Sequence, residues 1–170
     1  TSLNFDHKQL LYASVNVSPK FGIFRPTWGF NYNQQFFDTR KYGAGKALSK
    51  PLLSCSLDNN FALSETMNAA ISLNAATSNA DGFLMMKSFY SVDLRFDKSF
   101  ANRTWIIYLS ANDIFKTAKE RWTMYGLGSD TIKDCYNYTR SISLQVTYNF
   151  NAKRSKYKGT GAGNEEKSRL

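Results

Sequence analysis

The chain has 170 residues, enough for one domain with its own core, and its 42% hydrophobic content is weighted towards rings, with 13 Phe, 10 Tyr and 3 Trp. Mean hydropathy is −0.43, and 15 Asn with 18 Ser disfavour helix interiors, which argues against an all-helical protein. Of the net charge of +9, the six basic residues Lys153, Arg154, Lys156, Lys158, Lys167 and Arg169, against Glu165 and Glu166, place +4 in residues 151–170; the rest is a scattered excess that does not indicate a dedicated nucleic-acid face.

Along the chain, Leu11, Ala13, Val15 and Val17 alternate with Tyr12, Ser14 and Asn16, the period-two signature of a strand with unlike faces. A compact connection, 18–26, leads to Phe30, Tyr32 and Phe36, which alternate with Asn31, Asn33 and Gln35. The polar stretch 38–48 follows, then Leu53, Cys55 and Leu57 alternate with Ser54, Ser56 and Asp58. Met67, Ala69, Ile71 and Leu73 share a fourth stretch with Asn68, Ala70, Ser72 and Asn74. In the fifth, Tyr90, Val92, Leu94 and Phe96 alternate with Ser91, Asp93 and Arg95, and a compact connection, 97–103, follows. Trp105, Ile107, Leu109 and Ala111 form the sixth with Ile106, Tyr108, Ser110 and Asn112. The longest connection, 113–135, precedes the clearest strand, where Ile142, Leu144, Val146, Tyr148 and Phe150 alternate with Ser141, Ser143, Gln145, Thr147 and Asn149.

No apolar run approaches the ~20 residues of a membrane-spanning helix. The polar faces are built from Asn, Ser and Gln, which are poor strand formers but suit a hydrated lumen, and stretches of about nine to twelve residues suit a tilted strand crossing a bilayer. The fold expected is therefore all-β: an antiparallel up-and-down meander of about seven transmembrane strands, with Phe30, Ile71, Val92, Ile107 and Val146 towards lipid. Long connections mark the outside of an outer-membrane barrel, so the last strand runs inward and the basic tail, 151–170, is expected in the periplasm beyond a barrel segment of residues 1–150. An odd count starts the first strand outside. The chain, opening on Thr1, is thus expected to be the C-terminal portion of a larger, even-stranded barrel.

Four motifs carry a resemblance. Arg25, Pro26, Thr27 and Trp28 read as a turn; Asn112, Asp113, Ile114, Phe115, Lys116 and Thr117 form a run; Thr147, Tyr148, Asn149 and Phe150 close the last strand; and the tail reads Lys156, Tyr157, Lys158, Gly159, Thr160, Gly161, Ala162, Gly163. Together they resemble the C-terminal end of outer-membrane β-barrel family proteins, relatives of TonB-dependent receptors of Gram-negative bacteria. The resemblance implies nutrient uptake through a barrel of commonly about 22 strands with an N-terminal plug. Its partners would be outer-membrane lipids, the missing N-terminal strands and plug, TonB through the plug only, and an unknown solute. The tail departs from the pattern in which the chain ends on the terminal aromatic.

Candidate ligand contacts in the external connection are Trp122, Tyr125, Tyr136 and Tyr138, whose rings suit sugars or chelates, while Lys119 and Arg121 favour anions; loop packing is the plainer reading of Trp122. Asp93, Arg95, Gln145 and Asn149 face the lumen, Asp93 and Arg95 most simply as a solvated pair. Trp28 and Trp105 read as interfacial anchors, and Tyr148 with Phe150 as an assembly signal, a girdle, or both. Cys55, Cys135 and the single His7 match no metal-ligand spacing, the tail glycines lack a phosphate-loop context, and no acid–base pair stands out, so neither cofactor nor enzymatic activity is expected. Alternative readings are a small closed barrel serving adhesion or membrane integrity, or a soluble basic β-sheet binding module.

Overall fold

Only a pleated strand sends alternate side chains to opposite faces, and the computed structural model, which describes residues 7–44, 48–126 and 128–150, gathers the alternating stretches into one sheet. In chain order the strands are β1 (Gln9–Val17), β2 (Phe24–Phe36), β3 (Leu52–Ser64), β4 (Met67–Ala76), β5 (Asn79–Asp81), β6 (Leu84–Met86), β7 (Phe89–Phe100), β8 (Trp105–Asn112), β9 (Lys119–Tyr125), β10 (Asp130–Tyr136) and β11 (Ser141–Tyr148). A seven-stranded antiparallel sheet runs β1-β2-β3-β4-β7-β8-β11, so each strand pairs with the previous member of the sheet. The remaining four make a second sheet, β10-β9-β6-β5. β1 and β11 are opposite edges of the large sheet, and the barrel is not closed among the described residues.

The register fixes the faces. Val15, Phe30, Cys55, Ala75 and Tyr90 stand in one cross-strand row, and Phe96, Leu109 and Leu144 in another on the same face. Phe30, Ile71, Val92, Ile107 and Val146 all share that apolar face, as their spacing requires. The opposite face carries Asn16, Gly29, Ser56, Asn74 and Ser91 in one row and Arg25, Asn60, Ala70, Arg95, Ser110 and Ser143 in another. At Gly29 the Asn16 side chain approaches closely, and a Cβ there would come within 2.7 Å of Asn16 Oδ1 and displace that side chain.

Several expected boundaries are corrected. Residues 25–28 are not a turn but part of β2, opposite residues 57–60 of β3. Pairing with β1 stops at Trp28, so at Pro26 the strand has a neighbour on one side only, where a residue without an N–H is tolerated. The connection 18–26 shrinks to 18–23 and 97–103 to 101–104, because Phe24 extends its ladder opposite Phe61 and Phe100 opposite Trp105. The stretch 113–135 is not one loop, since it contains β9 and β10. The basic tail expected in the periplasm, 151–170, lies outside the described residues.

The short turns gather at one end of the sheet and the long connections at the other. Aromatic rings edge the apolar face at the short-turn end: Phe24 stacks on Phe61 at 5.0 Å, the rings of Trp105 and Tyr148 are 4.4 Å apart, and Trp28 Nε1 donates to Asn59 Oδ1 at 3.0 Å. Lys98 shares this rim, its ammonium donating to Thr66 Oγ1 at 3.2 Å and lying 5.7 Å from the Phe100 ring centroid. Rings with a polar tip and a snorkelling lysine belong at an apolar–water boundary.

The two faces make opposite predictions for adjacent residues. Leu144→Arg, on the apolar face, should destabilise the bilayer-inserted protein by about 2–4 kcal/mol, whereas Gln145→Arg, on the polar face, should cost little. Denaturant titration in lipid vesicles measures both.

Candidate functional site

Three connections meet at the long-loop end, and buried polar side chains hold them. Gln35, at the top of β2, is 2% exposed. Its Nε2 donates to Leu48 O at 2.8 Å and Gly82 O at 3.3 Å, while its Oε1 accepts from Gly82 N at 2.6 Å. One amide thus clips the β2–β3 connection to the β5–β6 hairpin. Thr39, fully buried in a single 3-10 turn (Thr39–Tyr42), accepts from Leu48 N at 3.0 Å, and Asp38 caps the turn through Arg40 N. The ring of Phe37 lies between those of Tyr42 and Phe83, at 5.3 and 6.1 Å.

Asp113 does the same for the β8–β11 connection. Its backbone N–H donates to Asp93 Oδ1 at 2.7 Å; its Oδ1 accepts from Thr117 N and Ala118 N at 2.8 and 3.2 Å, and its Oδ2 from Thr139 Oγ1 at 2.8 Å. Burial opposes its ionisation, but the bonds from Thr139, the two amides and Tyr136 outweigh that, holding its pKa below the ordinary carboxylate value. A carboxylate that bridges both ends of a loop fixes the loop's path. This explains the run beginning at Asn112 in structural terms.

On this base the second sheet forms from two hairpins, with β6 of one paired to β9 of the other. Its two faces differ. Trp122, Met124, Leu84 and Met86 share one, where with Asn79 and Phe89 they line a cavity of about 640 Å³; Phe89 belongs to the polar face of the large sheet, so this cavity opens at the mouth of that face. Lys119, Arg121, Thr123 and Tyr125 point the other way. Lys119 and Arg121 nevertheless also line that cavity, and with Lys116, Phe89 and Tyr90 they line an adjoining one of about 330 Å³, Phe89 and Tyr90 belonging to opposite faces of the large sheet. A third hollow of about 610 Å³, beside Val15, Phe30, Leu53 and Cys55, lies on the apolar face itself, where the small Ala13 and Ala75 leave room between larger side chains.

The four candidate ligand rings therefore do not converge. Trp122 lines the mouth cavity, while Tyr125 lies on the opposite face of β9, beside Gly43 and Ala44. Tyr136 accepts from Arg140 N at 2.8 Å and packs edge-on against Tyr138 at 5.9 Å, and Tyr138 is 88% exposed. Met86, Leu84 and Phe89 are the partners of Trp122 that sequence reasoning missed, whereas Met124 lies beside it on the same strand face; β5 and β6, each three residues long, are too short to show a period.

Asp93, Arg95 and Gln145 stand on the polar face with Ser and Asn neighbours. Asp93 holds the Asp113 amide, and Arg95 donates to Asn60 Oδ1 at 3.3 Å, so the two are not an ion pair. Asn149 lies just past β11, donating through its backbone to Thr104 O at 2.7 Å and through Nδ2 to Arg103 O at 2.8 Å; it secures the 101–104 turn. Tyr148 sits beside Trp105, and Phe150, 82% exposed, packs edge-on against Tyr148 at 5.1 Å. Cys55 and Cys135 are free, and no group of three or more His, Cys, Asp or Glu suited to a metal occurs among the described residues.

Compared with known families, residues 1–148 match the model of the outer membrane protein beta-barrel family. Comparison with curated proteins and with solved structures gave no match.

Two carboxylates give tests of the cap. Glu120 accepts from Lys133, Trp122 Nε1 and Asn137 Nδ2, which together lower its pKa from 4.5 to about 2. A depressed pKa contributes stability that is complete above the unfolded value of 4.5 and is lost as pH falls through about 2, so amide exchange in β9 and β10 should stay slow at mild acidity and accelerate near pH 2. Glu120→Gln should flatten that pH dependence. Asp113→Ala should leave buried donors unmatched, costing roughly 1–3 kcal/mol locally, and limited proteolysis should then cut within 114–140 while the large sheet stays intact.

Proposed function

The chain belongs to the outer membrane protein beta-barrel family, an outer-membrane protein whose strands cross the bilayer, and from that premise we propose that it supplies barrel wall and external loops to a TonB-dependent receptor-type transporter for nutrient uptake. The observation that carries the reading is the mouth cavity of Trp122, Met124, Met86, Leu84 and Phe89, held above a polar Asn and Ser face. Stacking rings above a hydrated passage suit capture of a sugar or chelate before import. The long connections would lie outside and the end of β11 would run to the periplasm, with the basic tail beyond it.

In hydrocarbon each unpaired backbone group costs several kcal/mol, so the free edges of β1 and β11 call for further strands to complete a closed wall. Lipids and those strands would be its direct partners, the plug would fill the lumen, and TonB would act through the plug alone. Polar side chains on the lumen face are engaged with one another, as where Ser72 donates to Asp58 and the Ser110 and Ser143 hydroxyls share a bond at 2.6 Å, which suits a passage wall and leaves the chain no covalent chemistry in this reading.

Deletion of residues 124–134 from the full-length protein should abolish solute binding while heat-modifiable folding persists. Trp122→Ala should weaken binding about thirtyfold if the indole is the anchor of the cavity. Uptake of a panel of ferric chelates and oligosaccharides, with and without TonB, is the measurement; uptake unchanged by both alterations removes the hairpin from transport, and uptake independent of TonB refutes the transporter class.

A further inference from the structure

The second sheet has two edges, and only one of them is covered. At β5 the Ala80 backbone donates to Lys50 O at 2.9 Å, and both Asn79 and Ala80 are buried. At β10 the backbone pairs with β9 alone among the described residues, so alternate residues of Asp130–Tyr136 turn their N–H and C=O groups outward. The pairing runs without a bulge and the strand holds no proline, so neither of these devices blunts the edge. Its side chains fall on two faces. Thr131, Lys133 and Cys135 stand on the face of Trp122, where the Lys133 ammonium is held by Glu120 at 2.7 Å. Asp130, Ile132 and Asp134 stand on the other face, all exposed, Ile132 to 73%. Asp134 faces Arg121, whose guanidinium donates to Ser88 O instead, and neither aspartate is in an ion pair among the described residues. The open edge thus reads acid, apolar, acid at alternate positions.

That row chooses among occupants. A second copy of β10 laid antiparallel about Ile132 would set Asp130 opposite Asp134 twice, and like charges directly across a ladder repel. An extended strand with basic, apolar and basic side chains at alternate positions matches all three residues instead, and it does so in either direction because the row is symmetric. We infer that β10 is a docking edge for an extended polypeptide segment of the form basic–x–apolar–x–basic, taken up as a fifth strand of the second sheet. Main-chain bonds to the outward groups of β10 hold the segment, and Asp130, Ile132 and Asp134 select it. The inference is independent of solute uptake, since it uses neither the mouth cavity nor TonB.

The test titrates full-length protein in detergent with the dye-labelled peptide Thr-Lys-Thr-Val-Thr-Lys-Thr, reading binding by fluorescence anisotropy and amide exchange of residues 130–136 in parallel. Binding should saturate and slow exchange of the outward amides of β10. Of two peptides N-methylated at alternate sets of residues, one should lose binding and the other keep it, because only one set turns its N–H groups towards β10. Asp130→Lys with Asp134→Lys should weaken binding about tenfold while heat-modifiable folding is kept, and the peptide with Glu in place of Lys should then bind the variant more tightly than it binds the parent. Absence of binding by the parent protein, or equal binding of the two methylated peptides, overturns the docking edge. Charge reversal without effect overturns the selection by Asp130 and Asp134. A dimer formed through β10 in place of peptide binding gives the edge to a second copy and overturns the peptide assignment.

Discussion

In hydrocarbon no water competes for backbone N–H and C=O groups, so a strand persists there only if its neighbours take up those bonds. That demand shapes the whole molecule. Pairing each large-sheet strand with the one before it satisfies the interior of the sheet with tight turns at one end, including the 65–66 turn between β3 and β4. Because the side-chain period is two, the same ladder sends most Val, Ile and Leu to one side and nearly all Ser and Asn to the other, with Leu10, Leu52 and Ile106 on the polar side. A slip of one residue anywhere would put Asn into lipid. The exception proves instructive: Asn59 stands on the apolar face, near its rim, and its Oδ1 is met by the Trp28 indole while its Nδ2 bonds to backbone.

Above the sheet the constraint changes, because loops there meet water and nothing forces their backbone into a ladder. The cap is ordered instead by a few buried polar groups with several partners each. Gln35 joins two connections and Asp113 both ends of a third, so two side chains replace much of the apolar core that short loops cannot supply. Such groups are effective because a buried polar atom without a partner costs more than the bond returns, so each alternative loop path is penalised. Lys8 adds an exposed tie, its ammonium 2.8 Å from Asp81 on the β5–β6 hairpin.

The second sheet inherits this order. Since β9 also alternates, Trp122 and Met124 go to one side of it and Lys119 and Arg121 to the other, yet Lys119, Arg121 and Phe89 line both of the cavities that adjoin it. The apolar hollow beside Phe30 and Leu53 falls under neither, since acyl chains would cover it.

The seven long strands, their antiparallel succession and the face of most of their residues are legible in the chain alone, because they follow from a period of two that needs no knowledge of distant partners. Ile142, Leu144 and Val146 could be assigned to one surface from their spacing alone, and so could Ser143 and Gln145 to the other. Strand ends were less legible: Arg25, Pro26, Thr27 and Trp28 read as a turn because proline is a turn residue, and only the missing β1 neighbour at that height lets them continue β2. The cap was decided by tertiary structure. The pairing of β6 with β9 joins residues 84–86 to 122–124, and the partners of Gln35 and Asp113 lie up to 47 and 26 residues away. Contacts at such separations leave no periodic trace in the chain, because each depends on where the sheet brings two loop bases together and not on the residues between them.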